Sequence, residues 1–129
     1  DLEGMSAAAI ERSERAMAGV LNYIHGCNPL GFAYLTELGE LGGDRYLNRF
    51  YHGDLQIVNT PPAGYLSGGP NAGYSRSNSP PAGQPPLKSY DVALEAPNSW
   101  EYLEGQIAYQ CKYIALLSSV IAYYADRPF

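Results

Sequence analysis

Basic residues are scarce in this sequence: 8 Lys+Arg stand against 13 Asp+Glu in 129 residues, a formal net charge of −5. A chain this acidic, with no basic run, makes a poor polyanion binder, so no nucleic-acid partner is expected. Cysteine is nearly absent as well. Cys27 and Cys111 form no C-x-x-C pair, and with only His25 and His52 besides, a Cys/His zinc site lacks its spacing. Both cysteines fall in apolar stretches that read as helical, so buried free thiols are expected, with one long-range disulfide as the alternative. The uncharged run from Tyr113 to Ala125 falls short of the roughly 20 residues that span a bilayer, so no membrane partner is expected. No signal peptide is visible, and a start at Asp1 rather than Met suggests a processed or truncated product. No compact Asp-rich loop offers a calcium site, and neither metal nor cofactor is called for.

What is present is apolar and rich in tyrosine. Hydrophobic residues make up 46% of the chain and charged residues 16%, which argues against disorder throughout. The length allows one modest domain. Twelve Tyr stand against 3 Phe and 1 Trp. Tyrosine offers a flat apolar face with a polar rim, which suits half-buried packing first, and sugar clefts or interfaces second.

Composition divides the chain in three. Residues 1–51 read as helical: Ile10, Met17, Leu21 and Ile24 recur at helix spacing over residues 5–25, and Gly26 and Pro29 supply the stop. Phe32, Leu35, Leu38 and Leu41 suggest a second, short helix that Gly31, Gly39, Gly42 and Gly43 weaken. A further helical piece is expected around Asp44 to Tyr51. Residues 52–97 are a loop region holding eight of the ten prolines. Loops this long are usually functional or disordered. Its tyrosines and near lack of charge fit a loop that lines a cleft. Residues 98–126 read as one long helix, apolar nearly all round and therefore buried. The fold class expected from these parts is all-α.

A buried helix makes its few charges informative. Glu104 lies near the helix start between Leu103 and Ile107. Desolvation favours the protonated carboxyl, the form a general acid needs. The plainer reading is a helix-start carboxylate that stabilises the dipole and pairs with a neighbour.

The segments Leu21 to Tyr34, Gly64 to Asn71 and Asn98 to Gln110, taken in that order, resemble glycoside hydrolase family 9, the cellulase and endoglucanase family. The stretch L-N-Y-I-H-G-C-N-P-L-G-F-A-Y (Leu21 to Tyr34) is similar to that family's D-Y-x-L-G-x-N-P-x-x-x-S-Y segment. G-Y-L-S-G-G-P-N (Gly64 to Asn71) is similar to its G-G-P-N loop. N-S-W-E-Y-L-E-G-Q-I-A-Y-Q (Asn98 to Gln110) is similar to its closing signature, with Trp100, Glu104, Ile107 and Tyr109 at the signature's aromatic, acid, aliphatic and second aromatic positions. S-P-P-A-G-Q-P-P-L-K-S-Y (Ser79 to Tyr90) also resembles the Pro-rich insert of some bacterial members.

The resemblance implies the C-terminal portion of an (α/α)6 barrel with a long Pro/Gly-rich loop, secreted and acting on β-1,4-glucan with inversion. Glu104 would be the general acid, and Tyr109 would contact the sugar beside the scissile bond. Trp100 would either touch sugar or pack against the barrel. Where many members carry H-P-H-H-R, this chain reads L-N-R-F-Y-H-G-D (Leu47 to Asp54), so Tyr51 and His52 are the candidate sugar contacts there. Gln110 replaces the Asn that usually follows the signature aromatic.

Inversion also needs a base carboxylate, about 6.5–9.5 Å from the acid. The family draws it from an N-terminal Asp pair that has no counterpart here. Glu101 sits on the same helix as Glu104 and cannot lie across a sugar ring from it. Asp44, Asp54, Asp91 and Glu95 lie in loops, and nothing selects one. The expected partners are therefore a β-glucan oligosaccharide and the N-terminal remainder of the barrel, or further copies of the chain. Two other classes stand beside the enzyme reading: a carbohydrate-binding remnant without chemistry, and a Tyr-rich structural protein that self-associates.

Overall fold

The computed structural model describes residues 4–48, 62–76, 81–92 and 98–125. The first element forms where the apolar period predicts it. Helix α1 spans Ala7–Ile24, and Ser6 caps it by accepting the Ala9 N–H on Oγ at 3.3 Å. It ends before Gly26, which takes φ of +119°. The turn that follows is organised by Asn28, whose side-chain amide donates to the carbonyls of Tyr23 at 2.7 Å and Phe32 at 2.8 Å. Its Oδ1 accepts the Leu30 N–H at 3.0 Å. The Asn of the N-P segment thus turns the chain from α1 into the core by answering backbone groups that the helix end leaves open.

The next stretch departs from the helical expectation. Residues Ala33–Thr36 form a strand, β1, with all four residues buried, followed by a 3-10 turn at Gly39–Leu41. Tyr46–Leu47 form β2, parallel to β1, where a helical piece was expected. The physical reason is tertiary. A strand covered on both faces shows no alternation, so its apolar run cannot be told from a helix by periodicity. On the other side of β1 the segment around Leu66 runs antiparallel. The Thr36 N–H donates to the Tyr65 carbonyl at 2.9 Å, and the Ser67 N–H to the Tyr34 carbonyl at 3.0 Å. β1 is therefore the centre of a small three-segment layer, and the described part of the Pro/Gly-rich region is tied into the body through it.

The core is aromatic. Tyr34, Leu47, Tyr90, Tyr102 and Leu103 form its buried cluster, with Tyr23, Phe32, Leu66 and Tyr74 packed against it. Tyr34 and Tyr90 meet edge to face at 5.0 Å, and Tyr102 meets Tyr74 at 5.4 Å and Tyr90 at 5.7 Å. Such pairs contribute about 0.5–1.5 kcal/mol each beyond the area they bury. Most of these tyrosines serve packing, the first of the two uses their number suggested. The backbone of Tyr65 helps hold β1.

The C-terminal region corrects a second expectation. It is two helices, α2 (Trp100–Leu103) and α3 (Ile107–Tyr124), separated at Glu104 to Gln106. Gly105 lies at the break, and Glu104 (ψ 130°) and Gln106 (ψ 147°) leave helical geometry on either side of it. α3 is also not buried: none of its described residues is more than partly covered, and Ile107 is 84% and Ile121 62% exposed. It packs on α1 along one side only. The Tyr123 hydroxyl donates to Glu14 Oε2 at 3.0 Å, while Tyr113 Oη and His25 Nε2 lie 2.8 Å apart. Moving forward along α1 from Glu14 to His25 moves backward along α3, so the two helices are antiparallel. That register brings Cys27 level with Cys111, yet Cys111 lies on the exposed side with Ile114 and Ser118. Both thiols are free and exposed, contrary to the burial expected of them. No helix among the described residues is long and apolar enough to cross a membrane.

Candidate active-site cleft

The break between α2 and α3 places the candidate acid. Glu104 is the last residue of α2's final turn, its N–H still bonded to the Trp100 carbonyl at 3.2 Å. The extended backbone that follows carries its half-buried side chain to the rim of a cleft of about 330 Å³. Gly68 to Asn71 line it together with Trp100, Glu101, Glu104, Gln106 and Tyr109. On one continuous helix, Glu104 and Tyr109 would point in different directions. The break lets them share a cleft.

The glycine-rich wall sits against the break through backbone contacts. A side chain at Gly68 would place its Cβ 3.3 Å from the Tyr102 carbonyl oxygen, so only glycine fits this approach without displacement. The Gly69 N–H donates to the same Tyr102 carbonyl at 2.9 Å. Asn71 Nδ2 donates to the Glu101 carbonyl at 3.1 Å, and the Asn71 N–H donates to the Ser89 carbonyl at 2.8 Å. Gln110 fastens α3 to this loop twice: its Nε2 donates to the Leu66 carbonyl at 2.7 Å, and its Oε1 accepts the Leu66 N–H at 2.9 Å. A side-chain amide thereby substitutes for a strand neighbour.

Two carboxylates line the cleft in different states of engagement. Glu104 Oε2 accepts one hydrogen bond, from Gln106 Nε2 at 2.8 Å. Glu101 accepts from the Ser75 hydroxyl on Oε1, from the Ser75 N–H on Oε2 at 2.9 Å, and from Asn98 Nδ2 on Oε1 at 3.0 Å. The Ser75 hydroxyl is the main cause that holds the Glu101 carboxyl below the usual carboxylate range. Partial desolvation opposes it, and the Ser75 N–H and Asn98 add to it. Asn98 takes φ of +56°, a conformation its amide stabilises by bonding both Ser75 Oγ at 2.9 Å and Glu101.

Of the residues singled out in the sequence, Glu104, Trp100 and Tyr109 come together in this cleft. Trp100 is 47% exposed, so its indole is available to the cleft and not part of the core. Tyr51 and His52 lie outside the described residues, as do Asp54 and Glu95. Asp91 lies in a separate depression with Leu30, Phe32 and Arg45, and exposed Asp44 is not among the residues that line the cleft. Sequence reasoning missed Gln106, Ser75 and the side chain of Glu101, and noted Gln110 only as a replacement for Asn. Gly105 was the available signal for Gln106, since a glycine there marks where a helix restarts and its new cap begins. Among the described residues no group of His, Cys, Asp and Glu could hold a metal ion.

Comparison with curated proteins and with solved structures finds no match. The family model for glycosyl hydrolase family 9 matches residues 5–117, which take in α1, the β1 layer, the Gly68–Asn71 wall and the Glu104 break. The chain belongs to glycosyl hydrolase family 9.

Proposed function

We propose that this chain supplies the general-acid wall of an inverting glycoside hydrolase that cleaves β-1,4-glucan outside the cell. The observation that carries the reading is the convergence of Glu104, Trp100 and Tyr109 on one cleft that the G-G-P-N loop also lines. In this reading a protonated Glu104 gives its proton to the glycosidic oxygen as the C–O bond breaks. A water attacks the anomeric carbon from the opposite face and loses its proton to a base carboxylate. Gln106 Nε2 donates to Glu104 Oε2, which leaves Oε1 as the oxygen to carry the acid proton. Trp100 and Tyr109 offer the aromatic faces on which a sugar ring rests, and Tyr51 and His52 extend the contacts.

The base is assigned to the N-terminal portion of the barrel. Glu101 is unsuited to that role: it shares the acid's wall, and both its oxygens already accept hydrogen bonds. A self-associating protein with a tyrosine surface is the less favoured reading, because the central tyrosines are spent on the core. Glu104→Gln in the enzyme assembled with its base-bearing portion tests the proposal. Hydrolysis of unactivated cellulosic substrate is expected to fall by about 10²–10⁴-fold. Activity near wild type would remove Glu104 from the acid role.

A further inference from the structure

We propose that Glu101 is a specificity-determining carboxylate, one that accepts a hydroxyl of the bound sugar and turns away glycans bearing a negative charge at the adjoining unit. The inference rests on the glycan-cleft reading and adds a role that the acid does not perform. Glu101 lines the same cleft as Glu104, but its surroundings differ. Ser75 and Asn98 hold its carboxylate in one orientation through three hydrogen bonds, two on Oε1 and one on Oε2. A carboxylate has about four lone-pair sites, so the count leaves one open, on Oε2. An ionised group of this kind accepts and never donates. It therefore suits a neutral polyol, whose hydroxyls donate, and opposes a uronate or other anionic substituent.

Among the described residues that line the cleft, none is Lys or Arg to favour an anion. Arg76 lies close enough to favour the ionised form of Glu101 weakly, but it is not part of the lining. The fixed orientation matters as much as the charge. To swing away, the carboxylate would have to give up the backbone N–H of Ser75 as well as its hydroxyl.

The test is calorimetric binding of the 129-residue chain to a neutral β-1,4-gluco-oligosaccharide and to a β-1,4-linked glucuronate oligomer of equal length. The wild-type chain is expected to bind the uronate at least about tenfold more weakly, a gap that narrows as salt is raised. Glu101→Gln should cut the gap to about threefold or less, while Glu101→Asp, which keeps the charge, should restore most of it. A circular dichroism spectrum matching wild type establishes that each variant is folded. Neutral-sugar binding with a ratio unchanged in Glu101→Gln would overturn this inference and leave the cleft reading standing. Absence of neutral-sugar binding in the wild-type chain would also overturn this inference, while the general-acid reading stands or falls with Glu104→Gln in the assembled enzyme.

Discussion

α2 and α3 adjoin each other and are opposites. α2 has four residues, two of them, Tyr102 and Leu103, wholly buried; α3 has 18 residues and is the more apolar, yet none of them is buried. A short helix far below the length that is stable alone is held by what surrounds it. The Gly69 N–H and the Asn71 amide bond its carbonyls, and Tyr74 and Tyr90 pack on Tyr102. α3 has the composition of a buried helix but meets only α1 and the Leu66 loop among the described residues. Hydrophobicity states what a segment needs covered; position is set by the hydrogen bonds and small residues that bring neighbours close. The candidate acid sits at the joint between these two regimes.

The largest expected contrast comes from truncating one side chain in each helix. Tyr102→Ala should destabilise the fold by about 3–5 kcal/mol, since it empties the centre of the aromatic cluster. Ile114→Ala, on the 60% exposed face of α3, should change stability by less than about 0.5 kcal/mol. Urea denaturation measures both, and similar losses would mean that α3 is covered in solution. Tyr102 also carries a buried hydroxyl with no hydrogen-bond partner among the described residues, and burial pushes its phenol up to about 12.

A smaller effect is expected at the bridge between the regions. Gln110→Ala removes both hydrogen bonds to Leu66 and leaves that backbone N–H and carbonyl without the side chain's answer. A loss of about 1–3 kcal/mol is expected, together with faster amide exchange at Leu66. Exchange at Leu66 as slow as in wild type would show that the bridge does not hold the loop.

The gentlest probe is pH. Glu101 is depressed in the folded state, so its contribution is present above the ordinary carboxylate range and is lost as pH falls through its lowered value. His25 is also lowered, by burial against α3 beside Tyr113. The folded state binds that proton less well than the unfolded chain, so its contribution is full above the ordinary histidine range and declines as pH drops below about 6.5. Both groups therefore predict a Tm that falls on acidification in two stages, histidine range first. Glu101→Gln should abolish only the lower stage.

The sequence made α1 legible because its apolar period and its stop at Gly26 and Pro29 agree. Motif order pointed to residues that line one cleft, Gly68 to Asn71 with Trp100, Glu104 and Tyr109, while their roles there are the proposal made above. The strand at Ala33–Thr36 was not legible, because a run buried on both faces carries no period of two. The interruption at Gly105 was hidden inside an apolar stripe that continues across it. The engagement of Glu101 by Ser75 joins residues 26 apart, a pairing that spacing alone does not contain.

The central claim is that Glu104 donates the proton to the departing oxygen, and the dependence of its loss on the leaving group tests this most directly. In the assembled enzyme, Glu104→Gln and wild type would be compared on cellulosic substrate and on a glucosyl fluoride, whose leaving group needs no proton. The account predicts a loss of about 10²-fold or more on the cellulosic substrate and only a few-fold on the fluoride. Equal losses on the two substrates would contradict it.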